Sequence, residues 1–252
     1  MHRSHDYRHL IARWRAVCQQ AGLRLRKLAT ADGYLLYYVE TPVLREKPGL
    51  YVSAGIHGDE PGGAEGLITW AESRAKELRE LPLLLLPCLN PWGLINNVRV
   101  DAEGRDLNRC FHHDEIPMIA GWKTLMRGRR FKAALALHED YDGEGLYLYE
   151  VPSAAAGWGE LLLKAARPVI PIENRARVDN FAAVAGVIRP RLRKARFKKI
   201  GYPEAVLLHL EHSEWTYTVE TPSEFALEAR AAAHRAVIEK TLHLAGLTRR
   251  RK

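Results

Sequence analysis

Leu10, Ile11, Trp14, Val17, Cys18 and Ala21 recur at three- and four-residue intervals, which predicts an amphipathic helix over DYRHLIARWRAVCQQAG. Asp6 is placed to cap its start and Gly22 to end it. The next stretches, LRLRKLAT and YLLYYVE, change period, and Asp32-Gly33 between them predicts a hairpin. Strand and helix patterns then take turns. LYVSAGI (50–56) reads as a strand, and Ala64, Leu67, Ile68, Ala71, Ala75 and Leu78 return to helical spacing behind Pro61. LPLLLLPCL (81–89) reads as a buried strand, followed by a loop-rich stretch to about 120 and a short helix in GWKTLMRGRR. AALAL (133–137), LYLYE (146–150) and WTYTV (215–219) predict three more strands. An Ala-rich helix is expected over about 222–245, with Thr221 as N-cap, Pro222 at N1 and Glu224 at N3.

Apolar strands interleaved with helices predict an α/β fold with a mixed, mainly parallel central sheet flanked by helices. No internal repeat or low-complexity linker divides the chain. Residues 1–252 are therefore expected to form a single domain, with 1–40 as a helix plus hairpin and 249–252 as a basic tail. A composition of 47% apolar and 27% charged residues excludes a disordered or collagen-like chain. No stretch approaches the ~18 apolar residues of a membrane span. MHRSHDYRHL lacks the apolar region of a secretory signal, and Cys18, Cys88 and Cys110 form no CxxC. A cytoplasmic location is expected. Much of the net charge of +8 lies in RPRLRKARFKK (189–199) and the tail RRRK. Without zinc-finger spacing or an RNP-like aromatic motif, that charge reads as a solvated face, and no nucleic-acid partner is expected. The oligomeric state stays open.

Ligands of open α/β sheets bind beyond the carboxyl ends of the strands. LYVSAGI is followed by His57, LPLLLLPCL by Asn90-Pro91, AALAL by His138 and WTYTV by Glu220. Three of these four ends deliver a group able to bind a metal or move a proton. His57 and Glu60 stand three apart in AGIHGDEPGG, where glycines let the backbone turn sharply. Two histidines and one glutamate suit a zinc site that keeps a fourth position for water. A second HxxE, His112 and Glu115, follows no strand and reads as surface.

AGIHGDEPGG, NPWG (90–93), DLNR (106–109), ALH (136–138) and TVETP (218–222) resemble, in order and spacing, the signals of the zinc metallocarboxypeptidases. The aspartoacylase and succinylglutamate desuccinylase group shares most of them. The resemblance spans residues 50 to 245 and implies a zinc carboxypeptidase-like, phosphorylase/hydrolase-like fold. It implies one zinc ion per chain, held by His57, Glu60 and His138, with Asp106 accepting a hydrogen bond from a zinc histidine. By the same resemblance Asn108 and Arg109 hold the substrate's free carboxylate, Arg99 rather than Arg105 stabilises the oxyanion, and Glu220 is the general base. Tyr202 is the candidate phenol beside the leaving group. Glu139 and Asp140, directly after His138, are expected either to tune its charge or to face solvent.

Two substrate classes follow: a small peptide cut next to a free carboxylate, or an N-acyl amino acid. Deacylases of the second group generally carry a further β-rich domain after the catalytic glutamate. Only residues 221–252 follow Glu220 here, which favours the peptidase reading, and among small bacterial members this includes amidases acting on murein peptides.

Overall fold

A computed structural model describes residues 3–151, 157–191 and 201–248. Tyr7–Ala21 forms α1, with Asp6 accepting from the His9 amide and Gly22 closing the helix, as expected. Leu25–Ala31 (β1) and Tyr34–Glu40 (β2) are the hairpin around Asp32-Gly33. Gly49–Ala54 (β3), Pro61–Ser73 (α2) and Leu83–Leu86 (β4) follow. Next come Pro91–Asn96 (α3), Pro117–Met126 (α4), Phe131–Asp140 (β5), Tyr147–Val151 (β6) and Gly159–Ala166 (α5). Arg177–Val178 (β7), Phe181–Val184 (β8) and Val187–Ile188 (β9) extend the sheet. Glu204–Leu207 (α6), Ser213–Pro222 (β10) and Leu227–Leu244 (α7) complete the described order.

The ten strands among the described residues lie in the order β1-β2-β4-β3-β5-β10-β6-β9-β8-β7. The central four, β4, β3, β5 and β10, are mutually parallel, so their carboxyl ends share one edge. Hairpins and antiparallel pairs flank them. Alternation along each strand divides the core into two layers. Leu50, Val52, Leu83, Leu85, Leu135, Leu137, Tyr217 and Val219 face α1, α2, α5 and α7. Tyr51, Leu84, Leu86, Phe131 and Ala134 face α4 and Leu208. No described helix is long and apolar enough to cross a membrane.

Several boundaries differ from the expected ones. Residues 91–96 form a helix inside the stretch expected to be loop-rich. α2 stops at Ser73, and Leu78 is buried from a short 3-10 turn instead. The last helix begins at Leu227 rather than 222, because Thr221 and Pro222 still pair with Glu139 and Asp140 in the sheet. Sheet pairing there outweighs the local helix-start signal, and Thr221 acts as a strand residue. Residues 192–199 of the basic run and the tail 249–252 lie outside the described residues. Arg189, at the start of the run, pairs with Glu150 and Glu160.

Candidate metal and substrate site

The register explains how distant residues meet. Glu220 of β10 pairs with His138 of β5, and Leu137 and Val219 point into the helix layer. His138 and Glu220 must therefore face the opposite side together, about 4.8 Å apart across the sheet. β3 delivers His57 beside them through a tight corner. The Leu89 and Asn90 amides donate to the carbonyls of Ala54 and Gly55, and the Gly58 amide to Val98. A side chain at 58 would meet the Gly93 carbonyl carbon at 1.9 Å, so only glycine lets the corner lie on α3. Asn90 caps α3 through the Gly93 amide and donates to the Val100 carbonyl. The NPWG signal thus braces the corner and contributes no ligand.

His57 Nδ1 lies 2.6 Å from Glu60 Oε1, His138 Nδ1 2.8 Å from Glu60 Oε2, and the two Nδ1 atoms 3.2 Å apart. Zinc–nitrogen bonds of 2.0–2.1 Å in a tetrahedron place neighbouring ligand atoms about 3.3 Å apart, so these three donors fit one such cation. They form a group able to hold a metal, and all three residues are buried. His57 Nε2 donates to Asp106 Oδ1 at 3.1 Å, which leaves the Nδ1 lone pair facing the shared centre. The Glu139 amide also donates to Glu60 Oε2.

Arg99 stands over this group, with Nη1 3.2 Å from Glu60 Oε1 and Nε 3.1 Å from Asp106 Oδ2. Arg105 is engaged elsewhere, by Asp101 and Glu103. Burial opposes ionisation of Asp106, yet its bond to His57 and the charges of Arg99 and Arg109 hold its carboxyl well below the usual range. Glu60 is likewise held low against its burial by the two imidazoles. Burial pushes the Glu220 carboxyl up to about 8, and a cation beside it would pull it back down.

A cavity of about 510 Å³ opens over these residues, lined by His57, Glu60, His138, Glu220, Arg99, Asn108 and Arg109. Asp106 fixes the Asn108 segment by accepting its amide, and Asn108 Oδ1 accepts from the Glu204 amide, both at 2.9 Å. A Cβ at Gly201 would meet the Arg109 carbonyl oxygen at 2.1 Å, which shows how closely the 201–207 segment is laid on the 108–109 stretch.

Tyr202 does not line the cavity. Its backbone bonds to Arg109 and Phe111, and its ring lies against His112 and the α4-side core. That side chain turns inward because the segment is stitched to 109–111 through the backbone. The phenols on the cavity are Tyr147 and Tyr149, which the motif reading missed. Tyr147 pairs with Glu220 and Tyr149 with Thr218 across the sheet. Alternation in LYLYE places both on the face of Glu220, and that signal was available. Tyr147 donates to Asp140 at 3.0 Å and Tyr149 to Asp179 at 2.5 Å. Asp179 comes from the two-residue β7–β8 turn, in a stretch to which the sequence analysis assigned no element. Glu139 and Asp140 both border the cavity, but the Glu139 carboxylate turns to the other face, against Arg230. Neither of these acids merely faces solvent. His113 pairs with Glu115 at the surface, and the second HxxE joins no metal group among the described residues.

Comparisons with known proteins agree with this architecture. Residues 46–118 match the family described as Succinylglutamate desuccinylase/Aspartoacylase catalytic domain. None of the curated proteins matches the chain. A "putative metallopeptidase" of Shewanella amazonensis SB2B is 25% identical, with a TM-score of 0.83 over 96% of this chain and 94% of that one. A metallo-carboxypeptidase of Burkholderia cenocepacia superposes with a TM-score of 0.70 at 16% identity, over 94% of this chain and 68% of that one. The fold is that of the zinc carboxypeptidases. A murein-tripeptide amidase of Escherichia coli O157 shares it more loosely, with a TM-score of 0.59 at 15% identity, covering 90% of this chain and 93% of that one. The family match over 46–118 and the 25%-identical metallopeptidase neighbour together make the chain an enzyme of hydrolase type.

Proposed function

We propose that this chain is a zinc-dependent hydrolase that cuts a peptide or amide bond next to a free carboxylate. The observation that carries this reading is the meeting of the His57, Glu60 and His138 donors beside Glu220, in register and on one face of the sheet. Zinc in such a site supplies Lewis acidity, which activates water and polarises a carbonyl. Glu220 takes the proton from the attacking water and passes it to the leaving nitrogen. Arg99 offers a cation to the developing oxyanion. Asn108 and Arg109 take the free carboxylate, for which a guanidinium fork is better matched than a lysine. The three cysteines are free thiols, in keeping with a cytoplasmic protein acting on small peptides.

A second reading, N-acyl amino acid deacylation, is favoured by the family match over 46–118. Metal analysis of the purified protein, joined to a panel of α-linked, γ-linked and N-acylated substrates, separates the two. One zinc per chain with turnover of a peptide class is expected. Faster turnover of N-acyl amino acids would establish the second reading. Absence of stoichiometric metal, or of any hydrolysis, would overturn both.

A further inference from the structure

Glu204 is 1% exposed and plays no part in the chemistry above. Its two carboxylate oxygens are met by hydroxyl groups rather than by a cation. One accepts from Tyr51, the other from Ser53 at 2.8 Å. Tyr51 is itself held by Trp122 Nε1, which donates to its hydroxyl oxygen at 2.7 Å. Burial raises the Glu204 carboxyl above its usual range. Filling this space with a leucine or methionine would avoid the desolvation cost of a carboxylate, so packing alone does not account for an acid here.

The backbone of the same residue supplies a reason. Tyr51 and Ser53 are alternate residues of β3, the strand that leads to His57. The Glu204 side chain therefore pins the wall formed by Pro203, Ala205 and Val206 to the strand that carries the metal corner. With the wall pinned, the Glu204 N–H reaches Asn108 Oδ1 at 2.9 Å. A carboxamide has one accepting end and one donating end. With Oδ1 engaged, Nδ2 is the end left to the cavity. A flipped amide would instead turn an oxygen toward an anionic ligand.

We propose that Glu204 is a positioning residue for carboxylate recognition: its buried side chain clamps the 203–206 wall to β3, and its own amide locks Asn108 with the NH2 group toward the substrate's carboxylate. The inference rests on the reading of Asn108 and Arg109 given above. Glu204 touches neither substrate nor metal in this scheme, so its effect falls on substrate affinity.

Steady-state kinetics on the zinc-loaded enzyme, with a peptide bearing a free carboxylate, test this. Glu204→Leu should raise KM by about 10- to 100-fold, the range for a lost hydrogen bond to a charged group, with kcat within about threefold. Glu204→Gln keeps an acceptor and adds a donor that a hydroxyl can accept, and should restore most of the affinity. In an Asn108→Ala background, Glu204→Leu should add less than about twofold, because the amide it orients is gone. If Glu204→Leu does not fold, Ser53→Ala and Tyr51→Phe each remove one donor to the carboxylate and should show the same KM-only change on a smaller scale. A fall in kcat at constant KM, or full multiplication of the effects in the Asn108→Ala background, would overturn the proposal. Arg109→Ala serves as the control. If it leaves KM unchanged, the carboxylate reading itself fails; if it raises KM while the Glu204 variants do not, only this inference fails.

Discussion

The tips of β5 and β10 lie side by side, and their alternate residues enter two different worlds. His138 and Glu220 face the cavity. Their neighbours Glu139 and Thr221 face α7, where Arg230 Nη1 bonds both Glu139 oxygens at 2.7 Å and His234 Nε2 meets Thr221 Oγ1 at 3.2 Å. Both faces bury polar groups. On the helix face the fold closes over them and supplies partners for Glu139 and Thr221, though Arg230 Nε and His234 Nδ1 have none. On the cavity face the same strands leave Glu220 and the three metal-competent donors turned toward one another and toward open space. Buried polarity is thus common to both faces, and what marks the functional one is polar capacity that opens onto a cavity where a ligand can use it.

The sharpest test of that contrast is Glu220→Gln. It removes the proposed base without changing shape, so zinc content should stay near one per chain while kcat falls by roughly 10²- to 10⁴-fold, measured by metal analysis and initial rates. The pH profile adds a sign. Only the ionised carboxylate accepts a proton, and burial raises this group from 4.5 to about 8. The kcat/KM of the native enzyme should therefore climb with pH along an acid limb that ends at or below about 8, and the residual activity of Glu220→Gln should lack that limb. Near-native turnover by the variant would move the base elsewhere.

On the same face, Arg109→Ala should act on binding. Loss of a charge-assisted contact predicts a KM increase of about 10- to 100-fold for substrates with a free carboxylate, with little change in kcat. The anchor and the base would then separate cleanly in kinetics, as they do in space.

The helix face should respond in stability instead. Arg230→Met leaves Glu139 buried without its cation, and breaking such a pair costs about 3–5 kcal/mol. The low end is expected, because burial already raises the Glu139 carboxyl to about 7 and the group can escape by taking up a proton. Adding Glu139→Gln should recover part of the loss. Denaturant unfolding reads both changes, while kcat per zinc-loaded molecule should move only a few-fold. A collapse of kcat at normal stability would erase the distinction between the faces.

These two faces also mark what a single chain discloses. Glycine-flanked His57 and Glu60, His138 and Glu220 were legible because strand period and strand ends place them without knowledge of any contact, whereas DLNR, in a stretch without period, was legible only through its resemblance to a family signal. The four parallel strands, with their register, then brought them together. Glu204 was not legible, because its role depends on Tyr51 and Ser53 more than 150 positions earlier. Tyr202 was misplaced because an irregular segment has no period from which to read side-chain direction. Asp179 reaches the cavity from a two-residue turn whose residues both adopt left-handed φ, 50° at Asp179 and 64° at Asn180. The late start of α7 has a tertiary cause as well, since continued pairing of β10 overrides a good local cap.

The smallest expected effect lies under the helix face, at His234. This residue is fully buried, its Nδ1 has no partner, and burial lowers its pKa to about 3 from 6.5. Above pH 6.5 it is neutral in both folded and unfolded chains and adds no pH dependence. As the pH falls, the unfolded chain binds a proton that the folded chain refuses, so stability drops from about 6.5 down to about 3. Between pH 7.5 and 5.5 this one group should cost roughly 1 kcal/mol. Urea unfolding of the native protein and of His234→Gln at both values isolates it, because every other titrating group is shared. The variant should lose less stability on acidification than the native chain. Equal losses would mean that this imidazole already carries a proton when folded, and that the helix face is not the closed layer that its contacts describe.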